Sequence, residues 1–150
     1  MHQLTPNTQL QRVAPDGTAA TTFQLAAGTT DPNSAAVDTR DFGGCRFIVC
    51  VGAMAAGATL DCKVQRSPDN STWTDITGAA ATQLADTKDD KLVTFDIPEP
   101  AARYLRLVFT RGNGGNTTID AVLAELYNPK NVGTTAHSTV DQRIVIGPNV

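Results

Sequence analysis

Along most of this chain apolar residues recur at every second position, in short runs separated by turn-forming residues, which is the period of a half-buried strand. The stretch Ala58 to Ile76, ATLDCKVQRSPDNSTWTDI, shows the pattern best. Leu60, Cys62 and Val64 alternate with Asp61, Lys63 and Gln65, which predicts a strand with the former three facing a core and the latter three facing water. Ser67-Pro68-Asp69-Asn70-Ser71 then joins a fixed proline φ to side chains that bond their own backbone, and Trp73 and Ile76 open a returning strand. This hairpin is the piece around which the rest is expected to be arranged.

The remaining runs extend the same reading. Thr22 to Ala26 predicts a short first strand, Gly28 to Ser34 a loop, and Val37 and Phe42 fasten the segment ahead of the next strand. Cys45 to Ala53, CRFIVCVGA, is almost continuously apolar and predicts a central strand covered on both faces, with Phe47, Val49 and Val51 on one side. Thr77 to Thr82 reads as loop or edge strand, and Asp86 to Asp90 as a charged turn. Val93, Phe95 and Ile97 alternate until Pro98 and Pro100 stop the strand. In Ala102 to Thr110, Leu105, Leu107 and Phe109 point one way and Tyr104, Arg106 and Val108 the other. After the glycine turn at Arg111 to Asn116, the last strand runs to Tyr127, with Val122, Ala124 and Leu126 on one side and Ile119, Ala121 and Leu123 on the other. Seven or eight strands without a helix or an internal repeat predict an all-β fold, an antiparallel two-sheet sandwich of the jelly-roll type. The domain is expected over residues 23–127, flanked by extended arms over 1–22 and 128–150.

The arms carry the functional expectation. Fixing the backbone of the C-terminal arm costs more than its few apolar side chains return on burial, so it is not expected to hold itself in place. Leu4, Leu10 and Val13 in the first arm, and Val140, Ile144, Val145 and Ile146 in the second, are therefore candidate contacts with other subunits. Ile144 to Ile146 has the character of a strand that adds to a neighbour's sheet edge.

Composition removes several classes of function. A chain of 150 residues makes one domain, and with 12 basic residues, no basic block and a net charge of -3 it predicts neither nucleic acid nor an anionic membrane as partner. No apolar run reaches the ~20 residues of a membrane span, and the first residues lack the pattern of a signal peptide, so a soluble cytosolic product is expected. Cys45, Cys50 and Cys62 form no CxxC pair and read as small buried hydrophobes kept reduced, a Cys50–Cys62 bridge being the remaining possibility. The two histidines, His2 and His137, lie in the arms, away from any nucleophile, and of Asp61, Asp75, Asp96 and Asp120 alternation places most on wet faces. The Asp86 to Asp90 turn lacks the oxygen spacing of a calcium loop, and Arg111 to Gly115 lacks the lysine and helix of a phosphate cradle. Asn70-Ser71-Thr72 and Asn116-Thr117-Thr118 are turn composition more than glycosylation acceptors. No enzyme, metal or cofactor is expected. Trp73 reads as packing on a sheet edge, its alternative use being a platform for a sugar ring beside Asp69 and Asn70.

The motifs QRSPDNSTWTDI and FDIPEPAARYLRLVFT resemble those of small β-sandwich proteins that coat the heads of tailed bacteriophages as decoration or cement proteins. The resemblance covers Phe23 to Tyr127. It implies a jelly roll made in the host cytoplasm, a trimer on the capsid surface, and partners that are the major capsid protein and further copies of the chain. Ala102 to Leu107, ARYLRL, also resembles the discoidin-like galactose-binding sandwiches, which implies ligand loops at one end. A carbohydrate-binding module or a tail-associated adhesin or adaptor is accordingly the alternative to a capsid role.

Overall fold

A computed structural model describes residues 7–16, the backbone of 23–25, and 33–130. Leu4, Val140, Ile144, Val145 and Ile146 lie outside the described residues, as does most of each arm.

The strands are β1 (Thr8–Arg12), β2 (Phe23–Leu25), β3 (Val37–Asp38), β4 (Phe42–Met54), β5 (Thr59–Ser67), β6 (Thr74–Ala80), β7 (Leu84–Ala85), β8 (Leu92–Pro98), β9 (Tyr104–Gly112) and β10 (Thr117–Pro129). They form two antiparallel sheets, one in the order β1-β10-β4-β8 and the other β3-β9-β5-β6, with short β2 and β7 added on β10 and β5. Setting those two aside, the first principal strand pairs with the last, the second with the seventh, the third with the sixth and the fourth with the fifth. That is a long hairpin rolled into a sandwich, the jelly roll expected from the turn spacing. Its tip is the β5–β6 hairpin, so the stretch around Ser67 to Trp73 lies at the centre of the topology.

Alternation places the core between the sheets. Cys45, Phe47, Val49 and Val51 of β4 meet Leu60, Cys62 and Val64 of β5 and Leu105, Leu107 and Phe109 of β9, all of them buried. Fully burying one such side chain is worth about 1.5–3 kcal/mol. In β10 the parity changes along the strand, because register shifts between Thr117 and Ala121 insert a bulge against β4. Ile119 is therefore buried with Val122, Ala124 and Leu126, not on the opposite face with Leu123 as strict alternation predicted.

Two boundaries of the sequence reading change. Residues 8–12, expected in a free arm, are the edge strand β1 on β10, and Val13 is buried in the core of its own chain. Its N–H donates to Val122 O at 2.8 Å, so this side chain is not offered to a neighbour. At the other end, Asn128 and Pro129 complete β10, and Lys130 N–H donates to Asp41 O at 2.8 Å.

The two sides of the sandwich differ. On the β1–β3 side the sheets are stitched by backbone bonds, Asp16 N–H to Asn33 O at 2.9 Å, Ala35 N–H to Ala14 O at 2.8 Å and Ser34 N–H to Leu107 O at 2.9 Å. On the β6–β8 side no such stitch occurs among the described residues, and the sandwich is open.

Candidate interaction surfaces

The outer face of the first sheet is the first candidate. Backbone register sets its side chains in rows across β1, β10, β4 and β8: Leu10, Glu125, Arg46 and Asp96 in one, Arg12, Leu123, Ile48 and Thr94 in the next, then Ala121, Cys50 and Leu92. The first row is ionic. Arg46 lies 3.4 Å from Glu125 and 3.5 Å from Asp96, and Tyr127 Oη donates to Asp96 Oδ1 at 2.6 Å. The Tyr127 ring reaches Asp96 by lying across Gly44, where any Cβ would meet the ring. Burial first, and then the bond to Asp96, push the Tyr127 hydroxyl up to about 12.

The other two rows are apolar at their centre, with Arg12 and Thr94 at the two ends of one of them, and are incompletely covered. In them Leu92 is 66% exposed and Ile48, Cys50, Ala121 and Leu123 are half-buried, while Leu10, at the β1 end of the ionic row, is 46% exposed. The expectation that β4 is covered on both faces is thus corrected: within the described chain only the inner face is sealed. The same apolar run that suggested a central strand supplies a greasy outer surface instead, and contiguous exposed apolar surface marks interaction sites.

The second candidate is the open side. Ile76, Ala79 and Ala81 of β6 and its exit face Val93, Phe95 and Ile97 of β8 across a groove of about 490 Å³. Among the described residues both strands end their sheets there, so each presents a backbone edge that no described strand pairs.

On the outer face of the second sheet Trp73 is half-buried at the start of β6, and the Arg106 guanidinium stacks on its ring at 4.3 Å. Arg106 also donates to Gln65 Oε1 at 2.9 and 2.7 Å, Gln65 Nε2 donates to Asp75 Oδ1 at 2.7 Å, and Lys63 Nζ to Asp75 Oδ2 at 2.8 Å. Asp69 is spent within its turn, accepting from Ser71 N–H at 2.9 Å, Thr72 N–H at 2.8 Å and Ser67 Oγ at 2.9 Å. The sugar-platform arrangement read from the sequence is therefore not preformed: one ring face carries Arg106, and the carboxylate meant to converge on it is engaged elsewhere. The signal that would have found this was the pairing of Gln65 with Arg106 across β5 and β9, which only the register reveals.

Cys45, Cys50 and Cys62 are free thiols. Burial pushes Cys45 and Cys62 up to about 12, which keeps them protonated and unreactive. Cys50 faces outward from β4 while Cys62 faces the core from the other sheet, so no bridge joins them.

A family profile described as Bbp16 matches residues 17–123. This chain belongs to the Bbp16 family. The match spans β2 to the middle of β10 and so takes in the hairpin tip, the open groove and most of the apolar outer face of this Bbp16 member. A search of curated proteins found no match. A solved xylan-binding module CBM15 is similar at 15% identity and a TM-score of 0.45, covering 85% of this chain and 95% of that one. At that distance it says nothing of what this chain binds.

Proposed function

We propose that this protein is a non-enzymatic structural component of a tailed-phage head, attached to the capsid surface by docking the apolar outer face of its first sheet on major capsid subunits. The observation that carries the reading is that face. Leu92, Cys50, Ala121, Leu123 and Ile48 form an apolar patch over two adjacent rows, one of which ends in Arg12 and Thr94, beside a third row that is charged and already paired within the sheet. An interface of this kind has an apolar centre and a polar rim, with the Arg46–Asp96–Glu125 row at its margin. The resemblance of the hairpin and β9 motifs to decoration proteins agrees with it. The C-terminal arm supplies self-association in this reading. The N-terminal arm contributes Leu10 alone from its described part, since Val13 is consumed in the core.

The test is attachment to heads that lack the protein. A Leu92→Asp, Leu10→Asp double variant changes two exposed side chains and should keep its fold, checked by circular dichroism. Its co-sedimentation with heads should fall at least ten-fold, because two charges would be desolvated on docking. An Asp75→Asn variant on the opposite outer face should attach as the unaltered protein does. Unchanged attachment of the double variant would remove the proposal.

A further inference from the structure

We infer that β8 is an acceptor edge for a strand supplied by Val140 to Ile146 of a second copy of this chain. This rests on the self-association in the proposed function and names its site. The sandwich is stitched on one side and open on the other, and the open side offers two edges of unequal quality. β6 is blunted: its pairing with β5 shifts register between Lys63 and Gln65, and Gly78 within it has φ +83°. β8 is regular, pairing residue by residue with β4 from Cys50–Leu92 to Gly44–Pro98. Glu99 N–H donates to Gly43 O and Lys91 O accepts from Val51 N–H, so residues of odd number turn their backbone towards β4. By alternation Leu92, Thr94 and Asp96 turn theirs outward, a ladder that no other described residue uses and that can take one more strand.

The segment fits this ladder in length, pattern and charge. Val140-Asp141-Gln142-Arg143-Ile144-Val145-Ile146 has seven residues, as does β8. Laid antiparallel with Ile144 opposite Phe95, it sets Ile146 opposite Val93, both turned into the groove that Ile76 and Ala79 line from the other side. The same register puts Val145 opposite Thr94 and Arg143 opposite Asp96, an opposite-charge cross-strand pair on the outer face. A shift of two residues loses that charge pair, and a shift of one turns the isoleucines out of the groove. A neighbouring copy is the source in keeping with the self-association that the proposed function gives this arm. Lys130, held to Asp41 O and Arg40 O, leaves the sheet near the Pro98 end of β8, so a chain carrying both cysteines tells the two sources apart.

The experiment uses the full chain in a Cys50→Ser background, with Thr94→Cys on one tagged copy and Val145→Cys on an untagged one. Mixed and mildly oxidised without heads, they should give a disulfide-linked tagged–untagged species on a non-reducing gel. Adding Ile144→Asp to the untagged copy should cut its yield at least five-fold. Absence of the linked species would overturn the inference, as would equal yield from Asp141→Cys in place of Val145→Cys. So would an intrachain link as the product of a chain carrying both Thr94→Cys and Val145→Cys, which would assign the segment to its own groove. Because heads take no part, failure here leaves the docking of the apolar face to its own test, and failure there leaves this one standing.

Discussion

Ser34 shows how much one small residue does on the stitched side. Its N–H donates to Leu107 O at 2.9 Å, its Oγ accepts from Leu107 N–H at 2.9 Å and donates to Ala35 O at 3.0 Å, and it is fully buried. Ser34→Ala would leave Leu107 N–H buried without a partner, which costs about 1–3 kcal/mol. Urea unfolding should show that loss as a lower midpoint at an unchanged m-value. In the sequence Ser34 is the last residue of an ordinary loop, and nothing local indicates a partner on β9. The cysteines are the opposite case: the apolar alternation around Cys45 and Cys62 was enough to place both thiols inside. Trp73 lay between these extremes, since its position after the turn was legible but its Arg106 neighbour comes from another strand.

At the scale of elements, turns and alternation carried most of the fold. The Ser67–Ser71 turn is held as its residue types predict, with Asp69 at its centre. Bonds from the Thr72 and Ser71 N–H groups, and from the Ser67 hydroxyl, hold the Asp69 carboxyl well below the usual carboxylate range. A folded-state value below the unfolded one means that the turn's contribution is complete above the ordinary range and is lost only as pH falls through the lowered value. The Asp69 carboxyl carbon should therefore keep its NMR shift from neutral pH down to about pH 3, where an ordinary aspartate is mostly protonated. A midpoint near the ordinary value would show that these bonds do not form in solution. What alternation could not resolve was the bulge in β10, which reverses the parity of Ile119 relative to Val122. Nor could it tell a strand buried on both faces from one with an apolar face left open, because both read as the same continuous run.

Among the described residues the molecule is asymmetric, stitched along one side of the roll and open along the other. Native-state hydrogen exchange should reveal this in dilute solution: the outward amides of Leu92, Thr94 and Asp96 should exchange at least ten-fold faster than those of Val93, Phe95 and Ile97, which point to β4. The Leu107 amide, bound to Ser34, should belong with the slow set. Equal protection along β8 would mean that its outer edge is already covered in the isolated chain.

By itself the sequence determined the class of fold, the hairpin at its tip and nearly all of the core, because period-2 burial and turn chemistry act over a few residues and leave their mark in local order. Only the tertiary structure decided that residues 8–13 belong to the domain, that the described residues stitch one side of the sandwich and not the other, and which apolar residues face outward. Those outcomes depend on pairings between residues far apart in the chain, where a single bulge or one distant hydrogen bond reverses what a local pattern implies.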